Sequence, residues 1–317
     1  MKEKINSLMI IGQTCSGKES LSLKIANYLG TDIISMDSMK IYREMNIGTA
    51  KAPTEARLNI KHHMVDIINP NEDYNVNKYI EDATKIANQL KLEKKLPLFS
   101  GGTALYAKAL ISGLFKSSEI PLEVKLKIES EYDSDKDKTY QKLLLIDPIA
   151  CKKIFKNDRQ RVTRALEIYE VTGKPISSFQ NQFSNKSDVF DFYIIGLKWP
   201  RDKLHIRIQQ RVIWMIEAGL IEEARKIFTS YPKQILGASK AVGYQELIPY
   251  FEGAISLDEA IERIVINTRQ LCKHQMTWMK KFPVDWIEVD ETTTASQIFE
   301  TAKSKIEKSF LKSIVHE

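Results

Sequence analysis

The stretch GQTCSGKES, Gly12-Gln13-Thr14-Cys15-Ser16-Gly17-Lys18-Glu19-Ser20, follows directly on the apolar run SLMII. A short buried strand, then G-x-x-x-x-G-K, then a helix is an arrangement that cradles a di- or triphosphate. Glycines let backbone N–H groups point inward, the helix N-terminus offers positive potential, and a lysine adds a full charge. A plain glycine-rich turn is the bland alternative, and the flanking elements favour the phosphate. In the usual pattern a Ser or Thr follows the lysine and helps hold Mg2+. Here Glu19 stands in that place.

Beyond the loop, Leu21, Ile25, Tyr28 and Leu29 fall on one helical face that Gly30 can close. DIISMD, residues 32–37, reads as a second strand, and LPLFSGG, from Leu96, as a third after a helical stretch over 77–95. Strands alternating with helices imply parallel pairing in an open α/β sheet. From about residue 117 strand signals vanish and Lys, Asp, Glu and Leu recur at helical spacing, until FYIIGLKW restores a strand near Phe192. The expected fold is α/β, a P-loop NTPase-like parallel sheet core flanked by helices, with an inserted helical domain. Its expected layout is core 1–116, insert 117–190, and return to the core with C-terminal helices 191–317.

The 317 residues are 43% hydrophobic, enough for a sizeable core, and 47 basic against 41 acidic residues leave a charge of only +6. That excess does not by itself argue for nucleic acid. The three cysteines, Cys15, Cys151 and Cys272, are widely separated, which argues against a disulfide framework or zinc site. The N-terminal apolar run is too short for a signal peptide, and no stretch nears the ~20 apolar residues of a membrane span. A cytoplasmic chain with no membrane partner is expected.

Further constellations carry chemistry. Asp37, after the second strand, should lie at the carboxyl edge of the sheet beside the loop, as a metal holder, a general base or a turn residue. In SGGTALY the two glycines permit close backbone approach and Thr103 offers a hydroxyl. That strand lacks a terminal acid, which weakens an ATPase reading. Lys203, Arg207 and Arg211 recur every four residues as a basic stripe, beside an apolar face of Leu204, Ile208, Val212 and Met215. A leaving diphosphate needs such a cation. Lys152, Lys153, Lys156, Arg159, Arg161 and Arg164 make a basic patch in the insert that suits RNA phosphates. Trp278 reads as core. His62 and His63, adjacent in an extended segment, should face opposite ways, which argues against a shared metal.

These pieces, in this order, resemble the tRNA dimethylallyltransferase family, through GQTCSGK, DSMKIYREMNIGTAK, HHMVDI, SGGTALY, NDRQRVTRALEIYEVTGKPIS, RVIWMIEAGLIEEA, AVGYQEL and TRQLCKHQMTW. The resemblance implies transfer of a dimethylallyl group from dimethylallyl diphosphate to N6 of the adenosine 3′ of a tRNA anticodon, flipped from its stack. It implies that Gly12, Thr14, Cys15, Ser16, Gly17, Lys18 and Glu19 bind the diphosphate, in place of ATP, with Mg2+ bridging its oxygens. Asp37 is then the base, Thr103 lies near the reacting adenine, and Arg211 assists the leaving group. tRNA contacts are implied at Asp37, Ser38, Met39 and Lys40, at Gln160, Arg161, Val162, Thr163 and Arg164 in the insert, and at Lys240 and Gln245. Too few cysteines for the zinc finger of eukaryotic relatives imply a bacterial type, and a monomer is expected.

The sequence departs from the family's habit at Gln13, Glu19, Ala104, Gln245 and His274. Glu19 is expected either to ligate the metal, with Ser16 or Ser20 as substitute hydroxyls, or to point to solvent. Rival readings are an adenylate or ADP isopentenyltransferase, a small-molecule kinase, and a catalytically weak RNA-binding paralogue.

Overall fold

The computed structural model describes residues 3–113, 120–180, 187–231 and 238–311. Six strands form one sheet: β1 (Ile5–Gly12), β2 (Ile33–Met36), β3 (His62–His63), β4 (Leu98–Gly101), β5 (Phe190–Lys198) and β6 (Asp285–Glu288). Their order is β3-β2-β4-β1-β5-β6, and every pairing is parallel. This is the α/β class expected. The inner strands β2 and β4 are buried along their whole length, and β1 nearly so, because helices cover both faces of the sheet there.

β1 shows the division. Leu8 and Ile10 point to one face, packing with Leu21, Ile25, Ala302 and Ile306 from the helices Lys18–Leu29 and Ala295–Ile306. Met9 and Ile11 point to the other, against Tyr79, Ala83 and Ala87 of the helix Val76–Leu92 and Leu110 of the helix Ala104–Ser112. A further core gathers the helices Arg201–Glu217, Leu220–Ser230 and Leu257–Met279 around Ile41, Met45 and Tyr244. The two-residue strand β3 lies where His62 and His63 are expected in extended chain, though it is too short to show periodicity.

The chain divides into two compact units, one of Met1–Ile111 with Asp188–Glu317, the other of Ser112–Ser187. Among the described residues the second holds helices and no strand, built from Leu122–Ser134, Lys136–Ile146, Pro148–Cys151 and Arg159–Thr172 around Ile128, Leu143, Val162 and Leu166. The expected boundary at 116–117 lies outside the described residues. Among the described residues no helix is long and apolar enough to cross a membrane.

Candidate active site

All six parallel strands end on the same edge of the sheet, and the glycine-lysine loop leaves that edge from β1. Cys15 (φ 67°) and Gly17 (φ 89°) both take left-handed backbone, which curls the loop into a concavity of N–H groups. A Cβ on Gly12 would stand 2.4 Å from Ser16 Oγ, so only glycine allows the chain to fold back so tightly there. The helix Lys18–Leu29 starts at once behind Gly17 and stops at Gly30, left-handed at φ 60°, as expected.

The loop is fastened from distant elements. Gln275 donates from Nε2 to the Gly102 carbonyl (3.0 Å) and accepts the Thr14 N–H (2.8 Å), joining the ends of β1 and β4. Gln13 donates to the Cys272 carbonyl at 2.9 Å. Trp199 donates to Ser16 O and Arg207 to Cys15 O, each at 2.9 Å. Sequence reasoning missed Gln275, Gln13 and Trp199 as parts of the site. Their partners are backbone groups far away in the chain, and no residue pattern marks those.

In front of the loop lies a cleft of about 420 Å³ lined by Thr14, Lys18, Glu19, Asp37, Lys40 and Arg211, with Arg207, Gln210, Thr49 and Ala50. Asp37 follows β2 and turns its Oδ1 to the N–H groups of Met39 (2.9 Å) and Lys40 (3.3 Å). Its second oxygen makes no hydrogen bond among the described residues. Thr103, at the end of β4, donates its N–H to Met36 O (3.1 Å), accepts the Ser38 N–H (3.0 Å) and donates to Ser38 Oγ (3.3 Å). The two strand ends meet closely, for a Cβ on Gly101 would lie 2.3 Å from the Met36 carbonyl. Of the basic stripe, Arg207 and Arg211 reach the loop, Arg211 with Nη1 3.9 Å from Cys15 Sγ. Lys203 turns away to Glu291 at 2.8 Å. Burial, then the neighbouring Lys40 ammonium, lower the Lys18 ammonium below its usual range; Asp37 and Glu19 oppose the shift.

Glu19 does what neither expectation allowed. Its Oε2 accepts from Lys40 Nζ at 2.6 Å, and the pair is only partly exposed, 36% for Glu19 and 10% for Lys40. Its other oxygen lies 4.0 Å from His62 Nε2, a buried atom with no hydrogen-bond partner. Burial alone would raise the Glu19 carboxyl, but the Lys40 charge and hydrogen bond outweigh it and hold it below the usual range. The carboxylate is therefore ionised and answered from within the protein.

A resident Mg2+ asks for one or two uncommitted carboxylates and an octahedral set of oxygens. Glu19 is bonded to an ammonium, and Asp37 commits one oxygen to two N–H groups. The Ser16 hydroxyl is enclosed and unpartnered, and Ser20 is exposed on the helix's first turn. Among the described residues no three His, Cys, Asp or Glu side chains cluster as metal ligands. These donors do not fit a resident Mg2+.

One wall of the cleft is held by a carboxylate that the sequence did not announce. Glu223 accepts the N–H groups of Asn46, Ile47 and Gly48 at 2.9–3.1 Å and the Tyr244 hydroxyl at 2.6 Å. Lys51 donates to Asp66 at 2.6 Å and to Tyr42 O, and Arg57 meets the same carboxylate at 2.5 Å. HHMVDI and GTAK are thus coupled through Asp66. His63 bonds Asp32 at 2.9 Å, away from His62.

The residues implied to touch tRNA divide. Lys240 is exposed, while Gln245 spends its amide on Glu246 at 2.8 Å. In the helical unit Gln160 and Arg161 are exposed and Arg164 is half-exposed beside Glu167 at 3.3 Å. Val162, fully buried, and Thr163, nearly so, face the unit's own interior, which corrects their assignment as side-chain contacts. Trp278 is also corrected: it is 36% exposed, with Lys281 Nζ 4.2 Å and Lys108 Nζ 5.3 Å from its ring centroid.

Residues 40–282 match the family model described as "IPP transferase", and residues 5–66 match "Isopentenyl transferase". A tRNA dimethylallyltransferase from Hydrogenobaculum sp. is 41% identical over 278 residues, covering 87% of this chain and 92% of the relative. The crystal structure of a tRNA isopentenylpyrophosphate transferase from Staphylococcus epidermidis superposes with a TM-score of 0.70 at 33% identity, over 96% of this chain and all of that one. A eukaryotic dimethylallyltransferase described as acting on tRNA gives a TM-score of 0.85 at 26% identity, over 98% of this chain and 80% of that one.

Proposed function

The chain belongs to the IPP transferase family, and from that premise we propose that it transfers a dimethylallyl group from dimethylallyl diphosphate to N6 of the adenosine 3′ of a tRNA anticodon. One observation carries the reading. A single cleft brings together a diphosphate cradle, the cations Lys18 and Arg211, and the Asp37 carboxylate at the end of the neighbouring strand.

In this reading the donor's diphosphate lies against the loop N–H groups between Lys18 and Arg211. As the C–O bond to the allylic carbon breaks, the diphosphate keeps the electron pair, and these cations stabilise the growing charge. The adenine amine is a weak nucleophile because its lone pair is delocalised into the ring. The free oxygen of Asp37 takes the amine proton while nitrogen bonds to the allylic carbon, so charge and atoms balance. Ser38 and Thr103 fix where Asp37 stands. The donor set does not support a Mg2+ ion held by the protein itself.

The test is product analysis. Incubated with labelled dimethylallyl diphosphate, the protein should label unmodified tRNA and leave AMP unlabelled, and nucleoside digestion should yield N6-dimethylallyladenosine. Asp37→Ala should lower kcat by roughly 10²- to 10⁴-fold, the span of a lost general base. Label on AMP alone would move the protein to the free-nucleotide enzymes, and tRNA bound without transfer would make it a binding protein.

A further inference from the structure

We propose that Lys40, held at the loop by Glu19, is a binding residue for the donor's diphosphate and supplies the positive charge for which the cleft holds no metal donors. The inference rests on the diphosphate reading of the loop given above. Four cations line the cleft, Lys18, Lys40, Arg207 and Arg211, against two carboxylates, Glu19 and Asp37. Two of the four already serve the loop's own backbone: Arg207 donates to Cys15 O, and Lys18 reaches Gln13 O at 3.4 Å.

Lys40 is placed differently. It sits just beyond the end of β2, its side chain is only 10% exposed, and its ammonium is close enough to Lys18 to lower it. A buried ammonium needs an anion, and Glu19, on the first turn of the loop's helix, provides one at 2.6 Å. The helix N-terminus favours a carboxylate there. Glu19 thus keeps the Lys40 ammonium in place beside the anion site, and an arriving diphosphate, with more charge than a carboxylate, shares that ammonium. Where the usual pattern recruits an ion through a hydroxyl after the lysine, this chain carries a carboxylate and ammonium as a matched pair.

Calorimetry with inorganic diphosphate, in Mg2+ and in EDTA, tests this without turnover. The wild-type chain should bind in EDTA within roughly threefold of its Kd in Mg2+, and Lys40→Gln should lose at least about tenfold in EDTA. The double variant Glu19→Gln/Lys40→Gln should stay about tenfold weak, which separates a missing cation from an exposed carboxylate. Lys40→Arg, keeping the charge, should bind within roughly threefold of wild type, so that packing is controlled. The proposal is overturned if wild-type binding collapses in EDTA, or if the double variant binds as tightly as wild type. Absence of diphosphate binding in both buffers would instead remove the functional reading, and this proposal with it. Intact prenyl transfer to tRNA with an unweakened double variant would sink this proposal alone.

Discussion

A single amide side chain shows how much the site depends on individual atoms. Gln275 satisfies the Thr14 N–H and the Gly102 carbonyl together from a position only 8% exposed. Gln275→Leu leaves both groups without a partner, and each orphan costs about 1–3 kcal/mol. The variant should unfold at lower urea and raise KM for the donor, because Thr14 lines the cleft. Asp66 makes a second residue-level case. Burial alone would raise its carboxyl, but hydrogen bonds and charge from Lys51 and Arg57 outweigh that and hold it below the usual aspartate range. Its stabilising effect is therefore complete above about pH 4, the unfolded value, and fades as pH falls through the depressed folded one. Asp66→Asn should cost roughly 2 kcal/mol at neutral pH, the worth of a charged hydrogen bond. The gap from wild type, read from urea midpoints, should narrow on acidification. A constant gap down to pH 3 would mean that Asp66 acts by shape alone.

At the scale of elements, the segment 46–50 has no regular structure of its own and borrows its order from the helix Leu220–Ser230. Three successive N–H groups converge on Glu223, and Gly48 packs so closely on Tyr244 that a Cβ would stand 2.4 Å from the ring. Glu223→Ala removes the common acceptor. Hydrogen exchange at Asn46, Ile47 and Gly48 should quicken by about tenfold or more, while the amides of β1 and β4 keep their protection. Turnover should fall too, since Thr49 and Ala50 form part of the cleft wall. Unchanged exchange at those three amides would show that Tyr244 packing alone holds the segment.

Across the whole molecule, charge is spent unevenly. In the helical unit Arg159 is locked to Asp133 by two bonds of 2.7 Å, and Lys156 to Asp137 at 2.6 Å. Lys152 and Lys153 are exposed and make no ion pair among the described residues. Replacing these two lysines by alanine should weaken tRNA binding and flatten the slope of log K against log salt by roughly 0.7–0.9 per lost phosphate contact. Arg159→Ala should instead lower the unit's stability and leave most of that slope. If the double lysine variant keeps the full slope, this face does not meet tRNA phosphates.

The same contrast explains what the sequence made legible. Strands such as SLMII and LPLFSGG could be read because a sheet covered on both faces demands uninterrupted apolar residues. The loop could be read because phosphate geometry demands glycines at fixed spacing. Glu19 could not be understood alone, since its partner Lys40 is brought beside it only when β2 aligns parallel with its neighbours. Glu223 and Gln275 were silent for a related reason: their partners are main-chain groups, which carry no residue identity. Val162 and Arg161 sit side by side in the basic stretch, yet helical geometry sends one inward and the other to solvent.

The place of β1 in the sheet bears on how the protein is made. It leaves the ribosome ahead of both its partners, β4 and β5, the second of which ends at Lys198. At a synthesis speed of 5–20 residues per second, the strand waits roughly ten to forty seconds before both its edges can be covered. During that interval an apolar ribbon carrying the future catalytic pocket stands open to mispairing, so a chain stalled before Lys198 should be found with chaperones or in aggregates. The fold has put its candidate working centre on a segment whose assembly can finish only once the chain has been made through Lys198.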